Sequence, residues 1–221
     1  MTNREQQFLQ FAMSSGVLRF GEFTLKSGRV SPYFFDAGLF CSGEMLSQLA
    51  GFYAAVLCEN DPEDFMLFGP AYKGIVLATA TAAALHDQYG RNVPFAYNRK
   101  EVKDHGEGGT VVGAQLTGRV VIFDYEITAG TAIGESMDII ESAGAQAAAV
   151  IVALDREEIV SDQAQSAITQ IRERYGLPVH VIARFSTLIE TLRATPDLKR
   201  HLDALEAYRN RYGDPAVAAN T

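Results

Sequence analysis

Between residues 65 and 183 the chain alternates short apolar runs with longer stretches of helical periodicity. Strand-like runs fall at 65–68, 95–98, 111–116, 120–124, 147–154 and 179–183, and helix-like segments at 75–89, 133–143 and 161–175. The runs are mainly apolar rather than strictly alternating, as strands covered by helices are. This predicts an α/β fold, a central and mostly parallel sheet flanked by helices. Upstream, a Thr2-to-Glu5 capping box starts a helix with Phe8, Phe11 and Ala12 on one side and Gly16 as its stop. Residues 18–38 are rich in aromatics, Gly and Pro and read as short strands and turns, followed by a helix over 42–57. The C-terminal part reads as two helices over 187–212 broken at Pro196, with a frayed 215–221. The chain is expected to form a single domain, residues 1–221. Residues 1–40 or so would form a small N-terminal hood over the sheet's C-terminal edge, where open α/β sheets bind ligands.

Two strand ends carry the chemistry. After 120–124 come Asp124, Tyr125 and Glu126, then the small-residue loop Thr128-Ala129-Gly130-Thr131-Ala132, which opens into a helix. Free backbone N–H groups and the helix dipole favour an anion there. Gly130 permits close approach and the threonines add hydroxyl donors. A carboxylate just before such a cradle can hold sugar hydroxyls or a magnesium ion, so a phosphorylated sugar is the implied ligand. The run 65–68 leads into Gly69-Pro70-Ala71-Tyr72-Lys73-Gly74, a second loop of the same kind with Lys73 as its cation.

The segment 97–109 holds Arg99, Lys100 and Lys103 against Glu101, Asp104 and Glu107, with His105 and glycines at 106, 108 and 109. Near-neutral overall, it is no nucleic-acid arm. A mobile loop with cations and a histidine suits a lid over an anionic leaving group. The formal net charge of −8 also argues against nucleic-acid or anionic-membrane surfaces, so any anion site is a local cationic island. No apolar stretch reaches the ~20 residues a membrane span needs. With a polar N-terminus and two cysteines without metal spacing, the chain reads as cytoplasmic.

The loop after 120–124 resembles the phosphoribosyl pyrophosphate (PRPP) signature of type I phosphoribosyltransferases: two acids, an apolar residue, then Thr-Ala-Gly-Thr. The run from Arg99 to Gly109 is similar to the catalytic loop of the orotate phosphoribosyltransferase family, as are residues 20–29 and 31–35. The resemblance implies transfer of phosphoribose from PRPP to orotate with magnesium, giving orotidine 5′-monophosphate and pyrophosphate in pyrimidine biosynthesis. It also implies a homodimer in which the 99–109 loop reaches the neighbouring site. Thr128, Ala129, Gly130, Thr131 and Ala132 would hold the 5′-phosphate. Tyr72 and Lys73, with Arg99, Lys100, Lys103 and His105, would face the pyrophosphate. Asp124 would bind ribose hydroxyls, directly or through metal-bound water. Lys26, Phe34, Phe35 and Arg156 would place orotate. On the residues alone, one of the two phenylalanines belongs to the core, because neighbours on a strand face opposite sides. Arg156 could equally pair with Asp155 at the surface.

Tyr125 replaces the signature's second acid, and Glu126 its apolar residue. With an extended backbone, Asp124 and Glu126 point one way and Tyr125 the other, and Glu126 could replace the missing acid. With the family's loop shape, Tyr125 enters the sugar site and Glu126 sits unpaired in an apolar place. Either arrangement predicts weakened catalysis, with kcat restored by Tyr125→Asp plus Glu126→Val. Two other readings follow: a PRPP-binding regulator that has lost catalysis, and a phosphoribosyltransferase for another base.

Overall fold

The computed structural model describes residues 3–25, 27–61, 63–103, 109–127, 130–160 and 164–218. Six strands form the main sheet: β3 (Met66–Gly69), β4 (Phe95–Lys103), β5 (Gly109–Gly113), β6 (Arg119–Phe123), β7 (Gln146–Asp155) and β8 (Val179–Arg184). Their spatial order is β5-β4-β3-β6-β7-β8, parallel except for the antiparallel edge strand β5. The chain winds outward in one direction from β3 and in the other from β6. The point of reversal therefore lies between these two neighbours, where a crevice opens at their carboxyl ends.

Side-chain alternation divides the core in two. Leu67, Val121, Phe123, Ile151 and Ala153 face one side, while Met66, Phe68, Val120, Ile122, Val150 and Val152 face the other. The first side is covered by α1 (Asn3–Ser14), α2 (Gly43–Asn60), α3 (Lys73–Tyr89), α6 (Phe185–Ala194) and α7 (Leu202–Tyr212), through Phe8, Leu49, Leu77, Leu188 and Leu205. The second is covered by α4 (Thr131–Ser142) and α5 (Ala167–Tyr175), through Ile133, Ile140, Ile168 and Ile171. The inner strands β3, β6 and β7 are thus buried on both faces, the physical reason their sequences are almost continuously apolar, whereas β4 and β5 toward the edge are not. The N-terminal hairpin β1 (Leu18–Thr24) and β2 (Val30–Phe35) forms a separate two-stranded sheet. Its Leu18, Tyr33 and Phe35 join the first core.

Several boundaries differ from expectation, β4 running on to Lys103 rather than ending at Asn98, and three of the differences have local reasons. Strand β5 spans 109–113 rather than 111–116, because Gly113 turns at φ +103° and a Cβ there would lie 2.5 Å from the Phe95 carbonyl oxygen. Only glycine accepts both conditions. Helix α5 starts at 167 rather than 161, where the Ser166 hydroxyl accepts the Thr169 N–H at 3.2 Å as its N-cap. The stretch 215–218, expected to fray, is the short helix α8 (Pro215–Ala218), anchored by Asp214.

Asp214 is 2% exposed. Its carboxylate accepts the Ser166 N–H (2.7 Å), the Thr169 hydroxyl (2.8 Å) and the Ala216 N–H (2.9 Å). Burial alone would raise its pKa, yet these donors outweigh it and hold the group below its ordinary value. Asp214→Ala is expected to destabilise the fold by roughly 2–3 kcal/mol at neutral pH. The charged form makes the bonds, so the contribution is full above the ordinary aspartate value of 3.8 and fades as pH falls below it. Urea unfolding at pH 7 and pH 3 should show the gap between wild type and variant narrowing in acid.

Candidate active site

The loops after β3 and β6 flank the crevice. At the first, Gly69 and Gly74 pack against each other so closely that a Cβ on Gly69 would stand 2.3 Å from the Gly74 carbonyl oxygen. The Ala71–Tyr72 peptide bond is cis. The Ala71 N–H donates to Asn98 Oδ1 on β4 at 2.8 Å, tying the loop to the neighbouring strand. Tyr72 is exposed, with Lys100 Nζ 5.2 Å from its ring centroid. Lys73 is the first residue of α3 and lies close enough to Asp124 to favour that residue's charge.

At the second loop, Gly130 caps α4 in the left-handed conformation (φ 70°), and Thr131 and Ala132 form its exposed first turn. Neither α3 nor α4 has a side-chain cap or an acid in its first turn, whereas α2 and α5 are capped by Ser42 and Ser166. The two helix starts at the crevice, like those of α6 and α7, thus have no cap from the N-cap side chain, and their first-turn N–H groups face the crevice loops rather than a serine as in α2 and α5.

Asp124 continues β6. Its N–H donates to Ile151 O (3.0 Å), its carbonyl accepts the Tyr53 hydroxyl (2.7 Å), and its Oδ1 accepts the Tyr125 N–H (2.7 Å). Burial pushes Asp124 up to about 6, against the pull of that N–H and of Lys73. Tyr125 follows Phe123 into the first core, 7% exposed, its ring stacked on Phe40 with centroids 6.2 Å apart. Its carbonyl accepts from Ala153 and Leu154, fixing the segment as an extension of the sheet. Tyr125 is thus a core residue and does not enter a sugar site. In consequence, Tyr125→Asp with Glu126→Val carries a cost that the signature alone does not show. A carboxylate placed beside Phe40 should destabilise the fold by roughly 2–3 kcal/mol, lowering Tm by about 5–10 °C. Any gain in kcat is then read per folded molecule, by calorimetry alongside kinetics.

Glu126 is not unpaired. Arg156 Nη1 reaches its Oε1 at 3.4 Å, while Arg156 Nε and Nη2 lie 3.0 and 2.9 Å from Glu158 Oε1. Arg156 is a buried side chain, 13% exposed, and does not pair with Asp155 at the surface. Its guanidinium lies over the Tyr33 ring at 4.5 Å. Glu158 also accepts the hydroxyls of Tyr33 (2.8 Å) and Tyr208 (3.0 Å). Burial raises the Glu126 pKa to about 7 despite Arg156, with Glu158 and Asp124 adding repulsion. Burial raises the Tyr33 hydroxyl too, well above its ordinary range.

The structure separates the aromatic pair. Phe35 is 4% exposed and packs on Phe8 and Phe40, with centroids 6.3 and 6.1 Å away. Phe34 projects from the other face onto Phe23 at 5.5 Å, with Arg19 alongside both rings. Arg99 and Lys100 also alternate along β4, and Lys100 is the one over Tyr72. Lys103 ends β4. Lys26, His105, Thr128 and Ala129 lie outside the described residues. Asn98, Tyr33, Glu158 and Tyr208 escaped the sequence reading. The only local hint was a carboxylate two residues after Arg156. Among the described residues, no three His, Cys, Asp or Glu side chains gather as a metal cage. No helix among them is long and apolar enough to cross a membrane.

A parallel sheet with two uncapped, glycine-lined helix starts at its point of reversal is the architecture of a type I phosphoribosyltransferase. The chain is 53% identical over 221 residues to an orotate phosphoribosyltransferase of Chromohalobacter salexigens, covering 95% of this chain and 94% of that protein. It is 55% identical over 213 residues to one of Thioalkalivibrio sulfidiphilus, covering 96% and 100%. It therefore belongs to the orotate phosphoribosyltransferase family. The crystal structure of the Francisella tularensis orotate phosphoribosyltransferase, 40% identical, matches it with a TM-score of 0.86 over 94% of this chain and 99% of that one. No family model matches the chain.

Proposed function

We propose that this protein transfers the phosphoribosyl group of PRPP to orotate, forming orotidine 5′-monophosphate and pyrophosphate. The observation that carries the reading is the pair of uncapped helix starts on adjacent strands, with a buried arginine at the end of the next strand. The α4 start, through Gly130, Thr131 and Ala132 together with Thr128 and Ala129, takes the 5′-phosphate. The Gly69–Gly74 loop and Lys73 take the pyrophosphate, with Lys100 approaching from β4 and Arg99, Lys103 and His105 completing the lid. Asp124 holds the ribose hydroxyls between them. Arg156 takes the orotate carboxylate, Lys26 adds a second cation, and Phe34 supplies a half-exposed ring. Phe35 supports this face from the core.

The bond to pyrophosphate breaks as positive charge develops on the ribose. The protein's part is to hold both anions and the base fixed while that charge forms. Preorganised donors of this kind are worth ~2.7–4 kcal/mol each where measured. Among the described residues, Asp124 is the site carboxylate without a cation paired to it, and two backbone N–H groups already bond it. That set fits a magnesium ion carried mainly on substrate oxygens and water. Bound there, magnesium supplies positive charge against the diphosphate.

The 99–109 loop is read as shared across a homodimer, and the acidic chain with two free cysteines as cytoplasmic, with no nucleic-acid partner. The test is loss of orotate absorbance with PRPP and magnesium, against a control without PRPP. Turnover is expected. Bound PRPP without turnover would overturn the reading.

A further inference from the structure

Among the described residues, Arg156 is the cation assigned to the carboxylate of the base, yet it already faces two carboxylates. Glu158 is committed to the fold, because its two oxygens also accept the Tyr33 and Tyr208 hydroxyls and so join the hairpin to α7. Among the described residues, the Glu126 side chain bonds only Arg156 Nη1, and it comes from the β6 loop, the segment that carries the ribose and phosphate donors. All three side chains are largely buried, at 13, 17 and 11% exposure for Arg156, Glu126 and Glu158. The cluster thus places two acids on one guanidinium before any ligand arrives. Arg156 Nη2 lies 2.9 Å from Glu158 Oε1, so the same carboxylate oxygen is shared by Nε and Nη2 while Nη1 faces Glu126.

We infer that Glu126 is a specificity-determining residue that occupies Arg156 in place of the base's carboxylate and so weakens binding of carboxylated bases selectively. The inference rests on the orotate reading of the site. An incoming orotate must displace Glu126 from Arg156 and remain beside it, three acids then sharing one cation. A base without the carboxylate meets no such competition. Glu126 acts through Arg156 and touches no reacting atom, so its effect belongs in orotate KM and not in kcat.

The experiment compares wild type with Glu126→Gln and Glu126→Val. It measures orotate KM and kcat at saturating PRPP, together with inhibition by uracil, which lacks the carboxylate. Removing one member of a desolvated like-charge contact should tighten orotate about tenfold or more. Glu126→Val should act at least as strongly as Glu126→Gln, whose amide oxygen can still accept from Arg156. The uracil inhibition constant should move less than about twofold, within the variation of a surface change. An unchanged orotate KM, or equal tightening of orotate and uracil, overturns the inference while the activity stands. Absence of orotate turnover and binding in all three proteins overturns the orotate reading and the inference with it.

Discussion

Arg156→Ala is expected to raise the KM for orotate by roughly 100-fold or more, the cost of truncating a desolvated partner of a charged group. The KM for PRPP should move little, because the α4 start and the Lys73 loop are built from other strands. Arg156→Lys should recover only part, since a point charge cannot reproduce the guanidinium fork. The same truncation leaves Glu126 and Glu158 buried without their cation, a loss of about 3 kcal/mol or more in stability. Adding Glu126→Gln to Arg156→Ala should return part of that stability and none of the orotate affinity. Urea unfolding and steady-state kinetics on the three variants separate the two roles. A single variant with unchanged orotate KM would remove Arg156 from the site.

Gly69→Ala is expected to lower kcat/KM by about 100-fold or more, the order seen when reacting groups are displaced by 1 Å. The new methyl group would fall 2.3 Å from the Gly74 carbonyl oxygen and 2.9 Å from Ile75 Cα, both backbone atoms that cannot swing aside. The loop must open, which moves Lys73 and strains the anchor between Ala71 N–H and Asn98. A stability loss of roughly 1–3 kcal/mol should accompany it, as for other overpacked sites. The strand itself should persist, because Leu67 and Phe68 keep their pairing to β4 and β6. Far-UV circular dichroism near wild type with kcat/KM within tenfold of wild type would refute the prediction.

What the sequence disclosed follows the range of the forces involved. The strands of the parallel sheet were readable because burial on both faces leaves long apolar runs, and the two loops because glycine and small residues punctuate helix starts. Sheet order was not readable, yet it is what brings the β3 and β6 loops side by side. The partners of Arg156 were also hidden. Glu126 lies 30 residues away and Tyr33 meets Glu158 across 125, and only tertiary packing brings them together. Tyr125 could be placed only once Phe40 was beside it, and Phe34 and Phe35 could be separated only once β2 had an inner face.

The hairpin and α1 are fastened to parts of the chain made much later. Arg29 donates to Ile159 O across 130 residues, Tyr33 bonds Glu158, and Thr187 donates to Glu5 across 182. During synthesis at ~5–20 residues per second, the first forty residues wait roughly 10–30 s for these partners. Throughout that interval Tyr33, fully buried in the finished fold, lacks Glu158, Phe185 and Tyr208, the partners that close over it. The inner face of the hairpin is thus completed only by the C-terminal part, and a chain cut short before residue 158 is expected to leave Tyr33 exposed.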